Sequence, residues 1–299
     1  MSVLIVGSIA FDTIITPFDN RKRLLGGACI YGSLACSLFC KPFIIGVVGK
    51  DFKDSHFNFL RKKGIDTSGI VKVNGKTFFW KGRYNYDMKT RQSLKTDLNV
   101  FENFNPEISN KHKNLPFLFL ANIDPELQLK ILNSMNNLKF SICDTMDYWI
   151  KNSKKNLMKV LKKVNCVVLN DEEIREFSGS FDLIKGAKFI QKIGPEYVII
   201  KKGEYGASIF GPDFYFSIPS YPVENVIDPT GAGDTFGGAF IGYIAKHNKI
   251  NKKIIKNAIA YANTIASFTV EDFGINKLSK ITILDIKKRI NKLKQIVIF

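Results

Sequence analysis

Short, nearly continuous apolar runs alternate along this chain with longer stretches whose apolar residues recur at helical spacing. The clearest runs are Val3–Val6, Phe43–Val48, Phe117–Leu120, Phe140–Cys143, Val167–Leu169 and Val198–Ile200, predicted as strands covered on both faces. Helices are predicted between them at about 28–40, 51–63, 125–137, 153–163, 171–178 and 181–193. Asp51 and Gly64 bracket the second of these as N-cap and as the residue beyond its end. After residue 200 comes a β-rich patch, Ala207–Phe210 and Phe214–Ile218, then helices near 231–247, 251–268 and 282–294. This alternation predicts an α/β fold with a mostly parallel central sheet. No internal repeat or low-complexity linker interrupts the 299 residues, which read as a single domain.

One segment breaks the alternation. From Thr77 to Val100 the chain reads TFFWKGRYNYDMKTRQSLKTDLNV, a predicted β-hairpin or flap. Phe78, Trp80, Tyr84 and Tyr86 fall on one of its faces, and Lys81, Arg83, Asn85 and Asp87 on the other. Such a pair suits a lid over a pocket, with residues 13–25 a candidate second part of it. A dimer-forming edge and an ordinary edge hairpin both stay open. Lys81 and Arg83 could meet an anionic substrate or simply be solvated.

Composition narrows the class without naming the function. With 45% hydrophobic and 24% charged residues the chain can bury a full core. No apolar run approaches the roughly 20 residues that cross a bilayer, so no membrane partner is expected. Met1–Ile9 lacks the basic leader and cleavage site of a signal peptide and serves better as a strand. Cys29, Cys36, Cys40, Cys143 and Cys166 lie in or beside apolar stretches without C-x-x-C spacing, as core thiols in a reducing, cytoplasmic setting would. The formal charge of +17 comes mostly from dispersed Lys, the densest run being Lys151–Lys163, which reads as the solvated side of a helix. A dedicated nucleic-acid binder would gather its cations on one stripe, so no specific nucleic-acid partner is expected. His56, His112 and His247 are far apart and no nucleophile elbow occurs, which disfavours a Ser–His–Asp hydrolase or a His-rich metal site.

Ligands of open α/β sheets bind beyond the carboxyl ends of the strands. Asp12, Asn122, Asp144, Asn170 and Lys201-Lys202-Gly203 each follow a predicted strand, which places them on one rim. The strongest local signal is Asp228-Pro229-Thr230-Gly231-Ala232-Gly233-Asp234 at the start of a predicted helix. Small residues at 231–233 leave their N–H groups unobstructed to cradle an oxyanion at the positive helix end. Asp234, inside that first turn, would stand beside a bound phosphate and could accept a proton from an incoming hydroxyl. The plainer alternative, an acid complementing the helix dipole, leaves the two glycines unexplained. No G-x-x-x-x-G-K-[ST] occurs, so this is not a P-loop enzyme.

The run D-P-T-G-A-G-D resembles the C-terminal signature of the ribokinase-like (PfkB-type) carbohydrate and nucleoside kinases. Other features follow in the family's order over nearly the whole chain. Val3–Ser8 with Asp12 resembles the opening strand, whose Asp binds substrate hydroxyls. Gly26-Gly27 is similar to the double-glycine substrate loop. Asn170-Asp171-Glu172-Glu173 is similar to the N-x-x-E element that organises Mg²⁺ and phosphate, though Asn170 and Glu173 also make a fair capping box. Lys202-Gly203-Glu204-Tyr205-Gly206 resembles the loop flanking the nucleotide.

The resemblance implies a ribokinase-like three-layer sandwich with a small β lid, and an ATP- and Mg²⁺-dependent kinase. It makes Asp234 the base and Gly231, Ala232 and Gly233 the anion hole. It assigns Asp12, Gly26, Gly27 and the position of Tyr31 to the acceptor, to which the rim position adds Asn122. It gives Asn170, Glu173, Lys202, Gly203, Gly206, Thr230, Asn263 and Gly274 to the nucleotide, Glu173 to Mg²⁺, and Asp228 to a K⁺ that some members bind. Ribokinase itself has Asn where this chain has Tyr31, which puts ribose in doubt. A small carbohydrate is the expected acceptor. A nucleoside is the alternative, and a non-catalytic ligand-binding regulator on the same scaffold is a reading from another class.

Overall fold

The computed structural model describes residues 1–298. In chain order its strands begin with β1 (Ser2–Val6), β2 (Ala10–Ile15), β3 (Asn20–Gly26), β4 (Lys41–Val48), β5 (Asp66–Lys72), β6 (Phe78–Tyr84) and β7 (Arg91–Asp97). They continue with β8 (Phe117–Leu120), β9 (Phe140–Asp144), β10 (Cys166–Asn170), β11 (Tyr197–Lys201), β12 (Ala207–Phe210) and β13 (Tyr215–Ile218). The helices are α1 (Ala28–Ser37), α2 (Asp54–Lys62), α3 (Asn110–Lys113), α4 (Pro125–Ser134), α5 (Asp147–Asn152) and α6 (Lys154–Leu161). After them come α7 (Asp171–Ser178), α8 (Leu183–Gln191), α9 (Ala232–His247), α10 (Lys252–Thr269) and α11 (Ile283–Val297).

Nine strands form one sheet in the order β13-β12-β11-β10-β9-β8-β1-β4-β5, parallel except at β12 and β13. Successive side chains of a strand point to opposite faces, so each apolar run feeds two cores. Val3 and Ile5 pack with α1, α9, α10 and α11. Leu4 and Val6 pack on the other face with α4, α6, α7 and α8. Helices cover both faces of a predominantly parallel sheet, the α/β sandwich expected from the apolar pattern. No helix among the described residues is long and apolar enough to cross a membrane.

The second sheet has the order β3-β2-β6-β7. Its two halves are antiparallel hairpins joined by the parallel pair β2–β6. The chain around 13–25 is therefore part of the small sheet together with the segment around 77–100. Trp80 and Tyr84 point inward with Ile14 and Phe273. Tyr86 does not share that face, because β6 ends at Tyr84 and the chain turns between Asn85 and Thr90, leaving Tyr86 83% exposed.

Local expectations failed where tertiary hydrogen bonds compete with them. Asp51 does not cap a helix: α2 starts at Asp54 with Lys53 at its N-cap. The Asp51 carboxylate instead accepts from the Thr77 amide at 2.8 Å, the Thr77 hydroxyl at 2.7 Å and Arg23 at 3.1 Å. It ties the end of β4 to the root of the small sheet. Residues 147–152, left without an element in the sequence pattern, form α5.

The long helix α9 is buried from Thr235 to Ala245 and crosses α1 closely. At Gly238 a Cβ would stand 2.0 Å from the Gly32 carbonyl oxygen, so glycine is needed for backbone contact. Gly238→Ala should therefore lower stability by about 1–3 kcal/mol through overpacking. A urea melt checks this, and a midpoint unchanged from wild type would mean that the helices do not cross so closely.

Candidate active site

Helix α9 begins at the signature loop. Gly231 is its N-cap in the left-handed region, φ 75°, and the ring of Tyr31 lies where a Cβ would be, 2.4 Å away. Asp228, fully buried, holds the loop in shape. One carboxylate oxygen accepts from the Thr230 amide at 2.9 Å and the other from the Gly274 amide at 2.8 Å. The Ala232 amide is partly spent on the Pro229 carbonyl at 3.3 Å. The amides of Gly231 and Gly233 have no acceptor among the described residues. The candidate anion hole is thus chiefly these two glycine amides at the positive end of α9.

Facing Gly233 is a cation that the sequence motifs did not single out. A Cβ at Gly233 would lie 2.9 Å from the Lys201 Nζ. Lys201 ends β11, and its ammonium is 3.3 Å from one oxygen of Asp144 at the end of β9. Burial works to lower the Lys201 pKa, but Asp144, Glu173 and Asp234 outweigh it and hold the ammonium charged, above its ordinary value. Strand parity carried the missing signal. Tyr197 and Ile199 face the α9 side, so Lys201 does too, while Lys202 points away. The Lys202 Nζ is bonded to Ser217 on β13 at 3.2 Å, outside this cluster.

Asp234 is half-buried in the first turn of α9. Burial first, and then the charge of Asp144, push its pKa up to about 7, against the opposing pull of Lys201, Arg91 and its own backbone amide. Glu173 completes the capping box of α7: its carboxylate accepts from the Asn170 amide at 2.7 Å and Asn170 accepts from the Glu173 amide at 2.7 Å. The same carboxylate is buried and feels both Lys201 and Asp144, and burial raises its pKa to about 7. The capping and site readings of N-x-x-E are therefore compatible in one geometry.

Asp12, 4% exposed on β2, lies near enough for its charge to be felt at Tyr31. Burial, then the charges of Asp228 and Asp234, raise its pKa to about 8, while the Gly27 amide pulls it down. Gly26 and Gly27 let the chain approach this carboxylate. A Cβ at Gly26 would sit 2.0 Å from Asp12, and Gly27 holds φ 92° against the Ser8 carbonyl. The Tyr31 hydroxyl is buried without a hydrogen-bond partner, in the field of Asp228, Asp12, Tyr84 and Asp234. Above it the Tyr84 hydroxyl of the small sheet meets the Thr230 hydroxyl at 3.1 Å.

Three expected site residues are hydrogen-bonded to neighbouring parts of the chain. The Asn122 amide is committed to Met146 at 3.1 Å and to Trp149 at 3.0 Å, which ties β8 to α5. Gly274 sits under the small sheet, against Leu24 and bonded to Asp228, rather than with the Gly203–Gly206 loop. Asn263 donates to the Pro219 carbonyl at 2.8 Å, anchoring the segment that leads to the signature. Gly203 and Gly206 both have positive φ, and the loop they frame closes on the Lys202 amide, which donates to the Gly206 carbonyl at 2.8 Å.

Known proteins resemble this chain along most of its length. The model of the pfkB family carbohydrate kinases matches residues 18–281. A cytidine kinase of Thermococcus kodakarensis is 26% identical over 250 residues, spanning 81% of this chain and 88% of its own length. A nucleoside kinase of Methanocaldococcus jannaschii is 26% identical over 276 residues, 85% of this chain and 82% of its own. Its crystal structure superposes with a TM-score of 0.77 at 20% identity, covering 97% of this chain and 98% of that one. An E. coli structure described as a ribokinase II in complex with ATP and Mg²⁺ gives a TM-score of 0.76 at 22% identity, covering 97% and 99%. These structures share the fold.

The raised pKa of Asp12 has a thermodynamic consequence. Its neutral form is the stable one when folded, so the contribution is complete below the unfolded value of 3.8 and is lost as pH rises through about 8. Asp12→Asn should melt later than wild type at pH 8, with the gap narrowing by up to about 1.4 kcal/mol per pH unit toward acid. Thermal melts across this range check it; a gap that widens toward acid would reverse the assignment.

Proposed function

Because the chain belongs to the pfkB family of carbohydrate kinases, we propose that it transfers the γ-phosphoryl group of ATP to a hydroxyl of a nucleoside. The observation that carries this is the convergence of Asp12 and Asp234, each within the other's field and both acting on Tyr31, with the Tyr31 ring against Gly231 and the Lys201 ammonium against Gly233. Asp12 would hold the acceptor. Asp234, with a pKa of about 7, is poised to take the hydroxyl proton as the oxygen attacks phosphorus. Gly231, Gly233 and Lys201 would receive the phosphoryl oxygens, and such fixed positive groups contribute most of the acceleration in phosphoryl transfer.

A nucleoside is favoured over a simple sugar by two considerations. Two relatives that align along most of this chain, and over most of their own length, are named cytidine kinase and nucleoside kinase. The buried, unpartnered Tyr31 hydroxyl also offers a hydrogen bond beyond those of Asp12, which suits an acceptor larger than a monosaccharide. A small carbohydrate acceptor is the second reading, supported by the family's description.

Mg²⁺ supplies neutralisation of the phosphates and fits this site as the partner of the nucleotide. No group of three His, Cys, Asp or Glu side chains among the described residues could hold a metal on its own. Mg²⁺ commonly relies on phosphates, water and one or two carboxylates, and Glu173 and Asp144 are the carboxylates available beside Lys201. K⁺ at Asp228 has weaker support, since both of its oxygens already accept backbone amides.

An ADP-release screen of nucleosides, sugars and sugar acids with Mg-ATP tests the proposal, run beside Asp234→Asn. Nucleoside-dependent release that falls about 10²–10⁴-fold in the variant is the expected result. Release with sugars alone would move the acceptor to the carbohydrate reading, and Asp234→Asn at wild-type turnover would remove the base. In wild type, kcat/KM should climb as pH rises through about 7, because Asp234 must lose its proton to act. A profile flat from pH 6 to 8 counts against it.

A further inference from the structure

We propose that Arg91 is a catalytic residue delivered by the small sheet, its guanidinium gripping the phosphoryl group in flight once that sheet is seated on the signature loop. This inference rests on the kinase reading above and adds a residue to it.

Strand register fixes the side of the small sheet from which Arg91 projects. Arg91 on β7 is directly paired with Tyr84 on β6, and Trp80 on β6 with Asp12 on β2. Side chains of paired residues share a face, and positions two apart along a strand share it again. Asp12, Ile14, Trp80, Tyr84 and Arg91 therefore project from the same side of the sheet. That side faces the site: Tyr84 reaches the Thr230 hydroxyl at 3.1 Å, immediately before Gly231. Arg91, beside Tyr84, is exposed and lies over the Trp80 ring, 5.5 Å from its centroid. It enters no ion pair among the described residues, whereas Arg21, Arg23, Arg175 and Arg289 all do. Its charge is nevertheless felt by the half-buried Asp234 and the buried Tyr84.

A free guanidinium held by an indole, at the mouth of a site that handles phosphate, is suited to fork onto phosphoryl oxygens. In the transfer step the acceptor oxygen bonds to the γ-phosphorus as the bond to the β–γ bridging oxygen breaks. The proton passes to Asp234 and the negative charge leaves with ADP. During this exchange charge spreads over the phosphoryl oxygens. Lys201 meets it from the sheet edge and Arg91 from above, so the full set of cations exists only with the small sheet in place. Lys81 and Arg83, the cations on this hairpin that the sequence first brought forward, do not have this position, since Arg83 is on the opposite face from Tyr84.

The test compares Arg91→Gln and Arg91→Lys with wild type in two assays. In turnover with the best acceptor, Arg91→Gln should lose at least about 10²-fold in kcat with acceptor KM changed only a few-fold. Arg91→Lys should recover part of the loss, having the charge without the fork. The acid limb of the pH profile should move upward in Arg91→Gln, since a group that lowers the Asp234 pKa has gone. In calorimetry, Arg91→Gln should lose wild-type preference for Mg-ATP over Mg-ADP while Mg-ADP affinity is kept. Undiminished kcat, a retained ATP preference, or equal weakening of both nucleotides would each overturn the proposal. Equal weakening is what a general loss of charge or of sheet packing produces. If wild type turned over no acceptor, the nucleoside reading would fail, and the calorimetry would still decide the role of Arg91.

Discussion

A single half-buried ammonium allows the carboxyl edge of this sheet to exist in its present form. Asp144, Glu173 and Asp234 come from three different elements, β9, α7 and α9, and converge there, the first two buried and the third half-buried. Carboxylates so placed repel one another and resist ionisation. Lys201 sits among them, paired with Asp144 at 3.3 Å, and lowers the pKa of both Glu173 and Asp234. The glycine at 233 is what lets it come this close to the start of α9. Truncating one member of such a cluster leaves the others uncompensated, which makes Lys201 a residue of both the fold and the site.

The acceptor side is organised by a mechanical constraint. Asp12 belongs to β2, which is a strand of the small sheet and is paired in parallel with β6. The carboxylate that would hold an acceptor and the aromatic face that covers it are therefore parts of one hydrogen-bonded unit. This unit is pinned at two points, by Asp51 to Thr77 at its root and by Tyr84 to Thr230 at the site. An acceptor bound to Asp12 would thus stabilise the same seating that carries Arg91 over the phosphate. Substrate binding and assembly of the catalytic charges become one event.

How much of this was legible in the sequence depended on whether the controlling interaction was local. The central strands were readable because burial on both faces demands continuous apolar runs such as Phe117–Leu120. The signature loop was readable because small residues at a helix start have few other reasons to be there. Asp51 was misread because its decisive partner, Thr77, is 26 positions away. The hydrogen bond of Gly274 to Asp228 was out of reach for the same reason, the two being 46 positions apart. Asn122 has the composition of a rim ligand, and only the tertiary placement of Met146 and Trp149 shows its amide to be spent. Lys201 was placed on the rim but given no role, although strand alternation alone could separate it from Lys202. The motif drew attention to the second lysine, while the face of Ile199 pointed to the first.

The formal charge of +17 takes on a different meaning beside this geometry. The lysines are spread over helices, strands and loops, about half of them on helices, and together they can raise the local concentration of an anionic nucleotide without touching it. Inside the site the balance is reversed: buried acids are the majority, and Asp12 and Asp234 have pKa values of about 8 and 7 before any phosphate arrives. Adding the negative charge of a nucleotide would raise Asp234 further, which by itself would disable a base. Only added positive charge can reverse that, and on this reading it comes with the metal and with the seated sheet. A base whose ionisation depends on closure has little opportunity to activate water in an open site, so the same electrostatics that hinder Asp234 in isolation favour the acceptor over hydrolysis.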